Sequence, residues 1–345
     1  MMKRYTMKLI GMLMLLLSLS ACKNGEATTV NQLPKEVKIG IIRVPNDKQV
    51  AISTQKFDQY FKDKGIETEF LFFDSGVAAN QALVSGSIDF AEMGYTNGVV
   101  ALAKNLPVEL IWLHDVIGEN EALVVPENSK VQSVADLKGK KIAVPFSSTS
   151  HFSLLKALEE AGIREEVSLL DMETADIVAA WERNDLDAAY TWEPTLSHLK
   201  DQGRVLLTSR DLAEKGYMTS NIDLVHKDFA KKYPELVVDY LSALTDGQNV
   251  YFEEPANAVA QVSKDLNLTE EETLKQMNMS QWLRPEELIS NDYLGTNAKP
   301  GHFHQVFLDT AEFLVEQKSI DQIPSEQEVN EFINSEYIEK LIERK

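Results

Sequence analysis

Residues 141–155 read KIAVPFSSTSHFSLL, a strand-to-helix junction with a run of hydroxyl side chains between its two elements. Residues 141–144 have the pattern of a short buried strand, which Pro145 ends, and the residues from Ser150 onward have the pattern of a helix. The first N–H groups of a helix lack partners and carry partial positive charge, so they can hold an oxyanion. The four hydroxyls at 147–150 add neutral donors suited to a sulfonate, phosphate or carboxylate. The alternative is that one hydroxyl only caps the helix.

The same alternation of strands and helices continues on both sides of this junction and forms two series. In the first series, strands are predicted at 37–42, 67–73, 88–93 and 108–113, with helices at 50–64, 78–85 and 97–104. In the second series, strands are predicted at 121–125, 141–144, 167–170, 188–191 and 222–225, with helices at 134–137, 150–161 and 175–183. From residue 227 the period is almost wholly helical. This order predicts an α/β fold with mostly parallel sheets flanked by helices.

Two further strand-to-helix loops carry polar residues and predict a ligand cleft. They are Gly94-Tyr95-Thr96-Asn97 and Asp74-Ser75-Gly76, and either one alone reads as an ordinary turn. Ligands of open α/β sheets bind beyond the carboxyl ends of the strands, where these loops and the hydroxyl junction gather. The candidate ligand residues from the three loops are therefore Asp74, Gly94, Tyr95, Thr96, Ser148, Thr149, Ser150 and His151.

Four residues near the ends of two later strands are also candidates for ligand contact. Trp192 follows the strand at 188–191 and either packs in the core or covers an apolar stem or a cation in the cleft. Glu193 either binds an ammonium group or is solvated. Asn221 and Asp223 are two residues apart on one strand, so their side chains share a face, and a carboxylate there can pair with a ligand amine.

The N-terminus has the pattern of a secretion signal followed by a lipidation site. Lys3, Arg4 and Lys8 precede a nearly unbroken apolar stretch at residues 9–19, which is too short to span a membrane, and Leu19-Ser20-Ala21-Cys22 follows. We expect residues 1–21 to be a cleaved signal peptide and 22–35 a tether lipidated at Cys22. The alternative is a stray thiol beside a cleaved peptide. Cys22 is the only cysteine, which excludes an intrachain disulfide and a multi-cysteine zinc site.

Charge and motif content disfavour several classes of function. The formal net charge is −20, which opposes nucleic-acid binding and requires any anionic ligand to be held by local groups. His302 and His304 have the spacing of a strand-borne metal pair, but no clear third ligand accompanies them, so we expect no metal and no cofactor. His151 beside Ser150 does not form a nucleophile–base pair, because helix neighbours do not face each other and no Gly-x-Ser-x-Gly elbow is present.

Several runs of this sequence resemble the taurine-binding proteins of ABC importers. They are EALVV at 121–125, DLKGKKIAVPF at 136–146, STSHFSLL at 148–155, AAWER at 179–183, DAAYTW at 187–192, FDSG at 73–76 and KDF at 227–229. The resemblance is dense from about residue 37 to about residue 234 and thin in the helical tail. The stretch at 145–155 is specific to the taurine and alkanesulfonate branch, whereas the wider superfamily of two-lobed binding proteins shares only the architecture.

The resemblance implies a two-lobed type II periplasmic-binding-protein fold with a helical C-terminal extension. Lobe 1 is expected at 36–117 plus 226–345 and lobe 2 at 118–225, closing on the ligand by a hinge motion. The loop at 148–151 then holds the sulfonate and Trp192 lines the pocket. The acidic residue that binds the amine in this family falls on Asn221 here, and Glu193 replaces a small residue. Either Glu193 or Asp223 takes over the amine, or the ligand is a different sulfonate.

The function implied is that of an extracytoplasmic solute-binding lipoprotein that delivers taurine or a related sulfonate to an ABC permease and ATPase. It is expected to be a monomer, held at the outer face of the cell membrane or in the periplasm through lipidated Cys22. The alternatives are a same-fold binder of nitrate, a carboxylate, an amine or a thiamine precursor, and a sensor subunit that presents its ligand to a receptor. Pyrimidine-synthesising enzymes share the fold, but the cysteine- and histidine-rich machinery that they need is missing.

Overall fold

The computed structural model describes residues 32–344. The predicted signal peptide at 1–21 and the predicted lipidation site Cys22 lie outside the described residues. Within the described part of the chain, no helix combines the length and the apolar character needed to cross a membrane.

The elements follow the order expected from the sequence. The first series consists of β1 (Glu36–Ile41), α1 (Asp47–Ser53), α2 (Lys56–Phe61), β2 (Glu67–Phe72), α3 (Gly76–Val84), β3 (Phe90–Gly94), α4 (Tyr95–Ala103) and β4 (Val108–Val116). The second consists of β5 (Glu121–Pro126), β6 (Lys141–Val144), α5 (Thr149–Glu160), β7 (Ser168–Asp171), α6 (Thr174–Glu182), β8 (Ala188–Trp192), α7 (Thr195–Lys200), β9 (Gly203–Thr208) and α8 (Ser209–Ala213). Both series of alternating strands and helices are thereby confirmed.

The rest of the described chain is mainly helical, as its period indicates. It consists of β10 (Ser220–His226), α9 (Lys227–Lys232), α10 (Pro234–Glu253), α11 (Pro255–Leu266), α12 (Glu270–Met277), β11 (Gln281–Trp282), α13 (Pro285–Leu288), β12 (Gly295–Thr296), β13 (Lys299–Pro300), α14 (Phe303–Glu316), α15 (Glu326–Phe332) and α16 (Glu336–Glu343). Proline begins α10, α11 and α13, where its missing N–H costs nothing because the first helical N–H groups have no partner in the helix.

Two separate sheets form the two lobes of the molecule. The first sheet has the strand order β11-β4-β10-β3-β1-β2, and the second has the order β7-β6-β8-β5-β9. Both sheets are mixed, which corrects the expectation of mostly parallel sheets. In the first, β10 runs antiparallel to β3 and β4; in the second, β5 runs antiparallel to β8 and β9. The chain reaches β10 from the second sheet and β5 from the first, so each of these two strands enters its sheet at the edge where the parallel strands end.

The strand predicted at 222–225 lies in a different sheet from the one expected. The sequence grouped it with the second series, but β10 pairs with β3 and β4 of the first sheet, with Asn221 opposite Gly94 and Ile222 opposite Leu113. The chain therefore returns to the first sheet before Ser220. The assignment was wrong because the order of elements along the chain does not reveal which sheet a returning strand joins.

The packing of the second sheet shows how strand alternation builds a two-sided core. Leu123 and Val125 of β5 belong to the apolar cluster on one face, and Ala122 and Val124 belong to the cluster on the other. Successive strand residues point to opposite faces, so an unbroken apolar run is buried on both sides. The first lobe has one larger core, which Phe152 of α5 also joins. Helices of the second lobe therefore pack directly against the first.

Candidate ligand-binding site

A cavity lies between the two sheets at the carboxyl ends of their parallel strands. It encloses about 750 Å³, counting the solvent at its open mouth. The residues that line it come from both lobes and are Ile42, Val44, Pro45, Ser75, Gly76, Val77, Gly94, Asn97, Asp115, Ile117, Asn120, Glu121, Pro145, Phe146, Ser148, Thr149, Trp192, Glu193, Asn221, Gln276 and Ser280. Six of the candidates from the sequence are among them: Gly94, Ser148, Thr149, Trp192, Glu193 and Asn221.

The hydroxyl residues at the start of α5 have different roles, and only one of them caps the helix. Ser148 is the N-cap, and its Oγ accepts a hydrogen bond from the His151 N–H at 3.1 Å and donates one to the Pro145 carbonyl at 2.6 Å. The capping alternative is thus realised at one residue. The N–H groups of Thr149 and Ser150 find no protein acceptor within residues 32–344, as expected for the first turn of a helix.

The interior side of the hydroxyl run surrounds a buried carboxylate. Glu121 begins β5, and it accepts hydrogen bonds from Thr149 at 2.5 Å, from Ser209 at 2.6 Å and from Ser153 at 3.4 Å. Burial raises the pKa of Glu121, and the hydroxyls of Ser209, Thr149, Ser150 and Ser153 oppose that shift. Ser150 is fully buried and does not line the cavity. Of the four hydroxyl residues, only Ser148 and Thr149 face the cleft.

His151 lies behind the cleft and not on its wall. Its ring stacks on Phe146, with centroids 4.4 Å apart and planes 6° from parallel. Its Nδ1 accepts a hydrogen bond from the Ser147 N–H at 3.3 Å. Burial lowers the pKa of His151 to about 4, so the ring is neutral at physiological pH and contributes no cation to the cleft.

The first turn of α4, which follows β3 directly, contacts the start of α5 and joins the two lobes. The Thr96 hydroxyl and the Asn97 side-chain amide both donate to the Ser147 carbonyl, each at 3.0 Å. A Cβ atom on Gly94 would lie 2.8 Å from the Thr149 methyl group, so glycine permits this close approach. We call Thr96, Asn97 and Ser147 the interlobe latch. Of the ligand residues predicted here, Gly94 lines the cavity, and Thr96 belongs to the interlobe latch.

Two predicted residues from the earlier loops do not reach the cavity wall. Tyr95 is fully buried, and its hydroxyl is hydrogen-bonded to that of Thr310 at 2.8 Å. Asp74 is not on the wall, but its neighbours Ser75 and Gly76 are. Ser75 is the N-cap of α3 and accepts from the Ala78 N–H at 3.4 Å.

The two carboxylates offered by the sequence for a ligand amine both have protein partners. Glu193 lines the cavity, but it forms an ion pair with Lys200 at 3.0 Å and accepts from the Ser197 N–H at 2.9 Å. Asp223 lies behind the wall, where Lys48 Nζ is 2.6 Å away and the Tyr240 hydroxyl donates to it at 2.6 Å. Asn221, two residues earlier on β10, does line the cavity.

Two buried carboxylates on the cavity wall were missed by the sequence reasoning. They are Glu121 and Asp115, of which 1% and 2% are exposed. Asp115 lies on β4 opposite Asn221, and its Oδ1 accepts from the Asn221 side-chain amide at 2.9 Å and from the Asn221 N–H at 3.3 Å. Burial raises the pKa of Asp115, and a hydrogen bond from Ser280 opposes that shift. An acid at the carboxyl end of an apolar strand was the available signal, but β4 was predicted to end at residue 113.

The charge distribution on the cavity wall is one-sided. No lysine, arginine or histidine is among the described residues that line it, whereas Asp115, Glu121 and Glu193 are. Within residues 32–344, only Glu193 of these three forms an ion pair with a cationic side chain. An anionic group in this cavity must therefore be held by N–H groups and hydroxyls.

The histidine pair suggested by the sequence is not strand-borne. His302 precedes α14 and His304 lies in its first turn. Both ring nitrogens of His304 have partners, with Nδ1 2.7 Å from Asn330 Oδ1 and Nε2 3.1 Å from the Leu294 carbonyl oxygen. Among the described residues, no group of three or more histidine, cysteine, aspartate or glutamate side chains is placed to hold a metal ion.

Comparison with known proteins identifies the family to which this architecture belongs. Residues 35–281 match the family described as the substrate binding domain of ABC-type glycine betaine transport system. The taurine-binding periplasmic protein of Escherichia coli (strain K12) is 30% identical over 293 residues, covering 83% of this chain and 88% of the relative.

Solved structures show the same fold at lower identity. The alkanesulfonate-binding protein from Xanthomonas axonopodis pv. citri, bound to MOPS, superposes with a TM-score of 0.71 at 21% identity, covering 87% of this chain and 98% of that one. A desulfurization enzyme superposes with a TM-score of 0.65 at 15% identity, covering 90% and 99%. The fold is thus shared by binding proteins and enzymes, but the match over residues 35–281 and the 30% identical relative decide the family: this chain belongs to the substrate-binding domains of ABC-type transport systems.

Proposed function

We propose that this protein captures taurine or a closely related small sulfonate between its lobes and delivers it to an ABC permease and its ATPase. The observation that carries the proposal is the cavity wall at the start of α5, where the free N–H groups of the first helical turn meet Gly94 and Asn97 of the other lobe. Ser148 and Thr149 also line this wall, and their hydroxyls donate within the protein to Pro145 and Glu121. Binding proteins for taurine and alkanesulfonates are among the relatives of this chain.

The cavity offers different chemistry to the two parts of such a ligand. Neutral donors at the start of α5 suit a sulfonate, whose charge is spread over three oxygens and needs no full counter-charge when several donors converge on it. Apolar side chains suit the short carbon stem, and Ile42, Val44, Ile117, Phe146 and Trp192 supply them. Trp192 stands at the end of β8, where its ring can cover the stem.

The lobes are proposed to close about two adjacent crossover segments. The Ile117 N–H donates to the Thr219 carbonyl at 2.9 Å, which joins the segment after β4 to the segment before β10. We place lobe 2 at 118–219 and lobe 1 in the remainder of the described chain, which moves the second expected boundary from 225 to the residue before β10. Closure brings the interlobe latch together and encloses the ligand.

The chain is further proposed to act as a monomeric lipoprotein without catalytic activity. Lipidated Cys22 would hold it at the outer face of the cell membrane. We expect palmitate to label the wild-type protein and not Cys22→Ser.

The proposed lack of catalytic activity is supported by the side chains of the cleft. No histidine, lysine or cysteine lines the cavity among the described residues, so carboxylates and hydroxyls are the only side-chain bases or nucleophiles that these residues offer a bound sulfonate. Incubation of purified protein with taurine is expected to return taurine unchanged, and its conversion to a product would contradict this part.

Isothermal titration calorimetry tests the ligand assignment directly. The mature chain carrying Cys22→Ser is titrated with taurine, ethanesulfonate, nitrate and glycine betaine. We expect one taurine site per chain and a rise in thermal unfolding temperature that grows with taurine concentration. Absence of binding by every sulfonate would remove the assignment, and tight binding of glycine betaine alone would replace it.

A further inference from the structure

The cavity wall carries more negative charge than the protein itself compensates. Asp115 and Glu121 are both buried there, and neither forms an ion pair with a cationic side chain of residues 32–344. A buried carboxylate without a counter-charge is costly, because desolvation removes the water that would stabilise it. A ligand with only an anionic group would add to this cost, whereas a ligand that also carries a cation would relieve it.

Glu121 has protein donors on both of its oxygens. Thr149 donates to Oε2, and Ser209 and Ser153 donate to Oε1. It also lies beside the first residues of α5 and α8, to which Thr149 and Ser209 belong, and the unpaired N–H groups of these helix starts favour negative charge. Glu121 is thus stabilised by the second lobe itself.

Asp115 has hydrogen-bond donors, Asn221 and Ser280, but no cationic partner among the described residues. Its Oδ1 receives both hydrogen bonds from Asn221, one from the side chain and one from the backbone, which fixes the carboxylate plane against β10. His114, the preceding residue on β4, is a buried cation that is engaged by Asp47 and Asp223. Asp115 is therefore a positioned carboxylate on the cavity wall whose counter-ion is missing from the described protein.

We propose that Asp115 binds the cationic group of the ligand, with Asn221 as its positioning residue, and that the preferred ligand is a zwitterion with a primary ammonium group. This inference rests on the proposed function, since it places the sulfonate at the start of α5 and the ammonium group at the β4–β10 edge of the same cavity. It makes Asp115 the residue that separates aminosulfonates from plain sulfonates.

Calorimetry with a matched ligand pair tests this assignment. Taurine and isethionate share the sulfonate and the two-carbon stem, and they differ in an ammonium against a hydroxyl group. The wild-type protein should bind taurine roughly 10- to 100-fold more tightly than isethionate, the size expected for one charge-assisted hydrogen bond. In Asp115→Asn this preference should disappear through weaker taurine binding, while isethionate binding stays the same or strengthens.

A charge-relocation variant separates the role of the carboxylate from that of the fold. Asp115→Asn combined with Asn221→Asp moves the acid across the hydrogen-bonded pair, and it should restore a taurine preference. Asp246→Asn, which removes an acid that hydrogen-bonds Tyr60 away from the cavity, serves as the control and should leave the preference intact.

The outcomes distinguish this inference from the function on which it rests. If wild-type protein binds neither taurine nor isethionate, the proposed function fails and the inference with it. If both bind but Asp115→Asn keeps the taurine preference, or loses both ligands equally, the assignment of Asp115 is overturned while the function stands. A taurine preference lost instead in Glu121→Gln would transfer the ammonium site to Glu121.

Discussion

Buried charges stand directly behind the cavity wall and hold its residues in place. Lys48 is fully buried, with Nζ 2.6 Å from Asp223 and 3.8 Å from Glu92. His114 Nδ1 lies 2.5 Å from Asp47, and His114 Nε2 lies 3.2 Å from Asp223. These residues are on α1, β3, β4 and β10. Each of the three strands also carries a residue of the cavity wall, one or two positions from the charged residue: Gly94, Asp115 and Asn221. The charge cluster therefore fixes the relative position of the strands that carry the site.

Replacing Lys48 by methionine should destabilise the protein strongly. The change leaves Asp223 and Glu92 with one cation fewer in a desolvated environment, and breaking a buried pair on one side costs about 3–5 kcal/mol. Urea unfolding measures the loss of free energy of unfolding. The control is Lys62→Met, because Lys62 is exposed and its one ion pair among the described residues is with Asp58 at 3.5 Å, a contact worth less than about 1 kcal/mol. Equal losses in the two variants would contradict the role given to Lys48.

Two buried histidines should titrate on opposite sides of neutral pH. Burial alone would lower the pKa of His114, but the charges of Asp47 and Asp223 outweigh it and raise the pKa to about 10. Burial lowers the pKa of His151 to about 4. NMR titration of the imidazole signals should show His114 still protonated at pH 8 and His151 neutral at pH 6. A His114 signal that titrates near pH 6.5 would contradict the ion cluster.

The raised pKa of His114 has a consequence for stability. The folded protein holds this proton more tightly than the unfolded chain, whose histidine titrates near 6.5. The stabilising contribution is therefore complete below about pH 6.5 and is lost as the pH rises toward 10. Urea midpoints should fall over this range in wild-type protein, and they should fall less in His114→Gln, which removes the titrating group. Parallel curves for the two proteins would be the contrary result.

The local part of the site was accessible from the sequence, and the cross-strand part was not. Gly94, Ser148, Thr149 and Trp192 lie on the cavity wall because each ends a strand or begins a helix, which hydrophobic period reveals. Asp115 could not be recognised, because its position depends on the register of β4 against β10, and those strands are 106 residues apart at the Asp115–Asn221 pair. The contribution of each residue to ligand binding stays a prediction.

At the scale of elements, the contact between α4 and α5 is the point where the two lobes meet beside the cleft. In the interlobe latch, the side chains of Thr96 and Asn97 at the start of α4 both donate hydrogen bonds to the carbonyl of Ser147, which precedes α5. Ser147 adopts a φ of 62° there, a left-handed conformation that turns the chain from β6 into α5. The strand predicted at 141–144 is confirmed, and α5 begins within one residue of its predicted start.

Removing one latch bond should weaken ligand binding without changing ligand preference. Thr96→Val keeps the shape of the side chain and deletes the donor to Ser147, and Thr96 does not line the cavity. Loss of one neutral hydrogen bond in the closed form should weaken taurine binding by roughly 2- to 10-fold. The ratio of taurine to isethionate affinity should stay constant. The control is Thr54→Val, because the Thr54 hydroxyl donates to the Val50 carbonyl of its own helix and Thr54 does not line the cavity; this change should leave the affinity unchanged.

Elements at the edge of the second sheet were the hardest to predict. β9 and the short helices α7 and α8 were missed, because β9 is half-buried along most of its length and lacks a clear alternation of buried and exposed residues. The sheet assignment of β10 failed for a different reason. Its apolar pattern identifies a buried strand, but its partners β3 and β4 are chosen by the path of the chain between lobes.

At the scale of the whole molecule, the first sheet and the helices that pack on it come from both ends of the described chain. α10 packs against α1 and α2, and α15 and α16 pack against β4, so the helical tail completes the core of the first sheet. The strands of the second sheet and the helices between them form one continuous segment between β4 and β10. This arrangement gives the molecule two adjacent crossovers and a cleft whose walls come from both lobes, which a hinge motion can open and close.

The overall charge of −20 and the absence of cations on the described cavity wall mean that the protein does not attract an anionic ligand electrostatically. Long-range attraction cannot draw an anion into this cleft, so recognition must come from short-range donors. We therefore expect taurine affinity to depend little on salt concentration, since a zwitterion has no net charge to screen.

A crystal structure of the protein with bound taurine tests the central claim most directly. The account predicts electron density for the ligand between the sheets, with sulfonate oxygens at hydrogen-bond distances of about 2.7–3.2 Å from the N–H groups of Thr149 and Ser150. A structure in which the first turn of α5 makes no contact with the ligand, and the sulfonate is held elsewhere in the molecule, would contradict it.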